Sequence, residues 1–317
     1  MSTADTRTTV AAAYEDETVV LGYLQHRKRF AWQRLLHNSQ SALLNHWRRK
    51  SAAQRVLEVA PGPARLSVEL AGVSSGVMVE NSHEMVAVAR KRLRDAGLAD
   101  NWRVVEGDAF GLGSLLAGQM FEFAYTFRFL RHFREPEREQ LYAALRERLL
   151  PRGLLVFDVV NAAELTRIES RGVAKSADEI DIYDVAYSEE SFRAEMDRFG
   201  FDVLELAPVV RNFALQSEIS YRLERWLPWA ADALVKSLES FPGRQALEWV
   251  AVCHETTCPE SSQTNSINQG EPRCPSACLT DTGYQVSLRP VRLPQSLNSC
   301  DRTVCARLCH RHFDAPS

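Results

Sequence analysis

Two residues with a defined spacing are the part of this sequence best suited to binding chemistry. Gly62 lies in a Pro-Gly-Pro turn after a short apolar run at 56–60, and the missing Cβ lets a ligand approach the backbone. Glu80 ends a second apolar run at 76–80, 18 residues after Gly62. A carboxylate at a strand end can accept hydrogen bonds from both hydroxyls of a ribose, and such charge-assisted bonds contribute about 1.5–3 kcal/mol each.

The elements that must position these residues alternate between strand and helix. A buried strand, a tight turn and a predicted helix at 66–71 are typical of the opening of an α/β sheet, in which ligands bind beyond the carboxyl ends of the strands. Ser82 is a suitable N-cap for a helix at 84–94. Further strands are predicted at 101–110, 121–133 (running into a loop), 154–159, 201–209 and 246–254, and further helices at 135–149 and 188–199.

The segment V-L-E-V-A-P-G-P-A-R resembles motif I of the class I S-adenosylmethionine (SAM) methyltransferases, especially their ubiquinone- and menaquinone-biosynthesis branch. The commonest form of that motif is an acidic residue followed by x-Gly-x-Gly-x-Gly. Here Glu58 is the acid, Gly62 is kept, and Ala60 and Ala64 stand at the other two glycine positions. Later segments also agree with the family pattern: G-D-A at 107–109, L-P-R-G at 150–153 and G-F-D-V at 200–203.

This resemblance implies a Rossmann-like, seven-stranded α/β sandwich with SAM as its cofactor. In the family, the residue matching Glu80 holds the ribose, and the residue matching Asp108 binds the adenine amino group beside the backbone of Ala109. The side chain matching Met85 packs near the adenine. The full set of residues that the resemblance implies for cofactor binding is Glu58, Ala60, Gly62, Ala64, Glu80, Asn81, Met85, Asp108, Ala109 and Thr126.

Two side chains near the carboxyl ends of the fourth and fifth predicted strands are candidates for catalysis. His132 can take a proton from an acceptor hydroxyl, although a lone loop histidine is more often structural. Asp158 either faces the substrate or only caps its strand. The SAM methyl is already activated, so alignment in a dry pocket, worth about 7–11 kcal/mol, is the main requirement. We therefore expect no fixed catalytic triad.

Length and composition limit the possible partners and locations. The 317 residues carry a net charge of −3 and are 45% apolar, which favours one large α/β domain and gives no reason to expect nucleic acid as a partner. No apolar run approaches 18 residues and the N-terminus lacks a signal-peptide layout, so we expect no membrane span and a cytoplasmic location. The expected partner is a small or amphipathic acceptor, including lipid- or sugar-linked molecules, methylated at oxygen or carbon. The oligomeric state is open.

The remaining regions are predicted from their composition. Residues 1–16 are expected to be disordered, and 17–50 form a basic helical lid that either attracts an anionic substrate or lipid headgroup or is simply a solvated helix. The methyltransferase domain is expected at 51–254, with a helical insert at about 215–241 whose Tyr221, Trp226 and Trp229 mostly serve core packing. The tail, 255–317, contains cysteines, but their spacings fit no common zinc module, so we expect disorder and no metal site.

Two other functions remain open at this level. One is a non-catalytic binding or scaffold protein with the SAM-binding fold and a decayed pocket. The other is a nicotinamide-dependent dehydrogenase, because that fold also places an acid about 20 residues after a glycine loop. Against the dehydrogenase, A-P-G-P-A-R lacks two of the three glycines of G-x-G-x-x-G.

Overall fold

The computed structural model describes residue 22 and residues 24–170, 184–243 and 246–256. The predictions for 1–16 and for the cysteine-containing tail beyond 256 lie outside these ranges, as does the start of the predicted lid. Within the ranges, no helix combines the length and the apolar character that crossing a membrane requires.

A central sheet organises the described chain. Its strands follow the order β3-β2-β1-β4-β5-β8-β7, and a two-residue strand, β6, pairs with β5 outside this path. Strands β1 to β5 are parallel, whereas β8 is antiparallel to both β5 and β7. This confirms the predicted seven-stranded α/β sandwich, with β6 as an addition. The strands are β1 Arg55–Val59, β2 Ser75–Glu80, β3 Trp102–Glu106, β4 Phe121–Thr126, β5 Leu149–Asn161, β6 Ala186–Tyr187, β7 Phe201–Val209 and β8 Glu248–Glu255.

Helices cover both faces of the sheet, because alternate strand residues point to opposite sides. Leu57 packs in one apolar cluster with Tyr142 and Phe192, whereas its neighbour Val56 packs in a second cluster with Leu44. The helices are α1 Ala31–Lys50, α2 His83–Asp95, α3 Leu112–Leu115, α4 Glu135–Arg146, α5 Ala162–Ser170, α6 Glu189–Arg198, α7 Phe213–Leu223 and α8 Pro228–Glu239.

One local prediction is wrong, and one helix was not predicted. The helix predicted at 66–71 is only a 3-10 turn, Ser67–Glu69, because the chain returns to an extended conformation at Leu70, whose side chain is buried in the core. Residues 162–170, for which no helix was predicted, form helix α5, in which buried Glu164 pairs with Arg167.

Helices α1, α7 and α8 pack together, and we call them the cap. A small apolar cluster of Ala31, Ala231 and Val235 joins them, and Arg34 of α1 forms ion pairs with Glu224 and Asp232. Strand β7 leads into α7 at its carboxyl end and runs parallel to β5. The cap therefore lies at the edge of the sheet where the parallel strands end.

The aromatic residues of the insert do not behave as expected. Trp226 and Trp229 are 73% and 71% exposed, and Tyr221 is half exposed with its ring centroid 4.8 Å from that of Phe30. The prediction that these side chains mostly serve core packing is therefore wrong for the two tryptophans. The stretch between α7 and α8 turns outward, whereas the small and branched residues of α8 form its packed face.

Candidate active site

An open cavity lies at the carboxyl edge of β1 to β4 and encloses ≈ 1130 Å³, its mouth included. Four connections supply its walls: the bend after β1, the end of β2, the loop after β3 and the loop after β4. The predicted cofactor-binding residues that line it are Glu58, Ala60, Gly62, Glu80, Asn81, Met85, Asp108 and Ala109. Eight residues spread over some fifty positions of sequence thus meet at one site.

The bend after β1 explains why glycine is usual at three positions of motif I. Ala60, Gly62 and Ala64 all have left-handed backbones, with φ of 53°, 55° and 54°. A Cβ disfavours this conformation by roughly 1–2 kcal/mol, whereas glycine adopts it freely. A Cβ built on Gly62 would approach only the Met85 sulfur, at 3.9 Å. The requirement at Gly62 is therefore conformational, and the space beside it belongs to the cavity.

Glu80 fastens this bend to the end of β2. One carboxylate oxygen accepts a hydrogen bond from the Gly62 amide at 2.8 Å, and the other accepts one from the Ser82 amide at 3.0 Å. Burial raises the pKa of Glu80, and the amide donors act against that rise. A carboxylate has about four lone-pair sites, so both oxygens retain capacity to accept from a ligand in the cavity.

The loop after β3 and the start of α2 complete this side. Asp108 is exposed and accepts a hydrogen bond from the Phe110 amide at 3.0 Å, which fixes the turn containing buried Ala109. Ser82 caps α2 by accepting from the Met85 amide at 3.2 Å, as predicted. The Met85 side chain is buried and forms part of the cavity wall. The cavity wall on this side therefore combines an apolar side chain with a carboxylate.

Glu58 is the most buried acid among the cavity residues. Its carboxylate accepts a hydrogen bond from the Tyr125 hydroxyl at 2.8 Å and another from the Ser67 hydroxyl. Burial raises the pKa of Glu58 to about 7, although both hydroxyl donors oppose the rise. This acid links β1, β4 and the turn at 67–69.

Several cavity residues were not among the predicted site residues. They are Arg65 and the four phenylalanines Phe110, Phe127, Phe129 and Phe133, together with Arg128, which has a left-handed φ of 60°. Arg65 donates to His37 Nδ1 at 2.7 Å and to Gln40 Oε1 at 2.9 Å, which connects the cavity to helix α1. Two features of the sequence could have indicated these residues: Arg65 directly follows motif I, and Phe and Arg alternate at 127–129.

Four predicted site residues lie outside the cavity lining. Ala64 is fully buried in the apolar cluster of the second face, and the buried Thr126 hydroxyl has no hydrogen-bond partner among the described residues. His132 is 3% exposed, with Nδ1 2.7 Å from Asp184, and Asp158 is equally buried. Cofactor binding by Ala64 and Thr126 stays a prediction, as does catalysis by His132 and Asp158.

Residues 56–153 match the sequence model of a family described as methyltransferase domain. Within these residues the chain carries a methyltransferase domain of the SAM-dependent kind. The matched region runs from β1 into β5 and contains the bend, Glu80 and Asp108. It does not distinguish the ubiquinone-like branch, which stays a prediction. Among curated proteins, none matches this chain.

Solved structures of methyltransferases resemble this chain in fold. Magnesium protoporphyrin IX methyltransferase from Synechocystis PCC 6803 with bound SAH has 12% identity and a TM-score of 0.54 over 79% of this chain and 100% of that one. A DhpI–SAM–HEP complex has 17% identity and a TM-score of 0.51 over 80% and 100%. The chain spans only 54% of the mitomycin 7-O-methyltransferase MmcR, with 14% identity and a TM-score of 0.47. At these identities the likeness concerns the fold alone.

Proposed function

We propose that the cavity binds SAM and that the enzyme transfers its methyl group to oxygen or carbon of a small or amphipathic acceptor. The observation that carries this proposal is that Glu80 and Asp108, from the ends of neighbouring strands, line one cavity beside the Gly62 bend. In this proposal Glu80 holds the ribose, and Asp108 with the Ala109 amide holds the adenine.

The residues of the cavity fit this cofactor. Its two nucleoside-facing acids accept hydrogen bonds, as ribose hydroxyls and an adenine amino group require. Met85 and Phe110 give the flat base apolar contacts, and Gly62 presents no Cβ to the ligand. When bound, SAM supplies a methyl group activated by a positive sulfur. The protein's own contribution is to orient both reactants and exclude water.

The loop after β4 supports the choice of acceptor class. Phe127, Phe129 and Phe133 line the cavity with rings, while Arg128 and Arg65 add positive charge. An amphipathic molecule satisfies both kinds of wall, because its flat or apolar part meets the rings and its polar part meets the guanidinium groups. Acceptors carried on a lipid or a sugar belong to this class.

The geometry favours positioning over direct contact for Asp158. Its Oδ1 accepts from the Arg128 amide at 2.6 Å, and Oδ2 accepts from Arg131 at 3.0 Å. The carboxylate thereby holds the backbone of a cavity-lining residue in its left-handed conformation.

A cytoplasmic location and the lack of a nucleic-acid partner stay predictions from composition.

Calorimetric titration with SAM tests the cofactor assignment. Glu80→Gln and Asp108→Asn should each weaken binding, by about 10- to 100-fold for Glu80→Gln, because each removes a charged acceptor. Glu106→Gln is the matched control, since Glu106 pairs with Glu80 in the β2–β3 register but does not line the cavity. Tight SAM binding that is indifferent to both cavity variants would overturn the assignment.

Turnover requires a separate measurement. Incubation with methyl-labelled SAM and a panel of hydroxylated aromatic, isoprenoid and glycosylated acceptors should label one class. SAM binding without transfer to any acceptor of these classes would instead favour a binding protein. Because the Asp108 side chain is exposed, Asp108→Asn should leave the fold intact. A loss of labelling in this variant would therefore not reflect unfolding.

A further inference from the structure

The connection between α7 and α8 is an exposed apolar segment. Residues 225–229, Arg-Trp-Leu-Pro-Trp, are all exposed, and Trp226, Leu227 and Trp229 expose 73%, 45% and 71% of their surface. Large apolar side chains in consecutive positions are unusual on a surface that faces only water. Each indole ring also carries an N–H group, so the segment is amphipathic.

Two exposed arginines lie against aromatic rings of this region, and the exposed acid that follows Trp229, Asp232, is paired with Arg34. The Arg225 guanidinium lies 5.1 Å from the Trp226 ring centroid, and that of Arg29 lies 5.1 Å from the ring of Phe30, which in turn contacts Tyr221. The nearest acid in sequence, Glu224, is 18% exposed and forms an ion pair with Arg34 at 2.8 Å. Arg222 is balanced by Glu218. We call Arg29, Tyr221 and 225–229 the cap tip.

We infer that the cap tip docks on an anionic lipid surface. Tryptophan favours the boundary between headgroups and acyl chains, where its ring is buried and its N–H group stays hydrated. Arginines beside such rings gain from the negative potential of anionic headgroups. Pro228 begins α8 and fixes the backbone between the two tryptophans, so both rings project from one short segment.

The cap tip also has a connection to the cavity. It belongs to the same three-helix cap as α1, whose His37 and Gln40 hydrogen-bond to the cavity residue Arg65. If the proposed function holds, a docked enzyme takes an amphipathic acceptor directly from the lipid surface. The docking itself does not depend on that function, so the two are tested separately.

Co-sedimentation with lipid vesicles tests the docking surface. The full-length protein should bind vesicles containing about three parts in ten phosphatidylglycerol in phosphatidylcholine, and bind phosphatidylcholine alone more weakly. Trp226→Ala combined with Trp229→Ala should lower the affinity about tenfold or more, because both interfacial rings are lost. Arg29→Gln combined with Arg225→Gln should remove most of the preference for the anionic vesicles.

Phe241→Ala is the matched control. Phe241 is 60% exposed and follows α8 at the end away from Trp229, about 18 Å along the helix axis. Unchanged vesicle binding by this variant, with SAM affinity retained in the tryptophan variant, supports the inference. No vesicle binding by the parent protein, equal losses in the Phe241 and tryptophan variants, or a self-association that the tryptophan variant abolishes without vesicle binding would each overturn it.

Discussion

The two halves of the sheet's carboxyl edge use acidic residues in opposite ways. Along β1 to β3, Glu80 and Asp108 are held by backbone amides and line an open cavity. Along β4, β5 and β8, Asp158 and Glu248 are buried, and Arg131 serves both of them. The first half has acceptor capacity left for a ligand, whereas the second uses its charges within the protein.

Arg131 is the centre of the second half. It lies 3.0 Å from Asp158, 2.6 Å from Asp184 and 3.4 Å from Glu248, and Gln40 of the cap donates to Glu248 at 2.6 Å. Burial and the charge of Asp158 raise the pKa of Glu248 to about 7, against the opposing effect of Arg131. This network braces the loop after β4 and connects it to α1, so it shapes the cavity without entering it.

The largest expected effect comes from removing the centre of that network. Arg131→Met should lower the free energy of unfolding by about 3–5 kcal/mol, because buried carboxylates lose their counter-charge. Urea denaturation followed by circular dichroism measures the change. The control is Arg55→Met, whose side chain is 50% exposed beside Glu122 and should cost less than about 1 kcal/mol. Equal losses in the two variants would contradict the distinction between the two halves.

A pH-dependent effect separates Glu58 from an ordinary surface acid. Its pKa rises from 4.5 to about 7 on folding, so between these values the folded protein holds a proton that the unfolded chain has released. Stability therefore falls as pH rises through this window. Glu58→Gln does not titrate and should remove about 2 kcal/mol of that fall, measured as unfolding free energy at pH 5 and pH 7.

Glu122→Gln is the control for this pH dependence. The amides of Gln54 and Arg55 lower the pKa of Glu122, so its contribution is lost only as pH falls below about 4.5. The slope between pH 5 and pH 7 should be the same as in the parent protein. A matching change of slope in both variants would show that Glu58 is not the source.

The first half of the edge was largely predictable from sequence because its residues act through the backbone. The left-handed positions of the bend require small residues, which form a recognisable sequence motif. Glu80 and Asp108 lie at or just after the ends of predicted strands and line the cavity. The second half was not predictable, because Arg131 and Glu248 are 117 residues apart and meet only through the antiparallel insertion of β8. The exposure of Trp226 was not predictable either, because tryptophan is usually buried in a core and its residue type alone does not indicate an exposed position.

Two serine N-caps offer a comparison between a cavity helix and a distant one. Ser82 caps α2 and Ser188 caps α6, and each accepts one amide hydrogen bond, at 3.2 Å and 3.1 Å. Ser82→Ala and Ser188→Ala should each cost about 1 kcal/mol of stability in thermal unfolding. Only Ser82→Ala should also weaken SAM binding, because Ser82 and Met85 line the cavity. Equal SAM affinity in both variants would show that the start of α2 does not contribute to SAM binding.

The smallest expected effect is at Ala64, where opposing contributions nearly cancel. Ala64→Gly relieves a left-handed alanine, worth about 1–2 kcal/mol, but loses a buried methyl worth about 0.8 kcal/mol and adds about 0.5–1 kcal/mol of chain entropy. Stability by urea denaturation should therefore stay within about 1 kcal/mol of the parent. SAM affinity should also be unchanged, because the Ala64 side chain packs in the core and does not line the cavity. A large gain in SAM affinity would mean instead that the Ala64 methyl group restricts cofactor binding along β1 to β3.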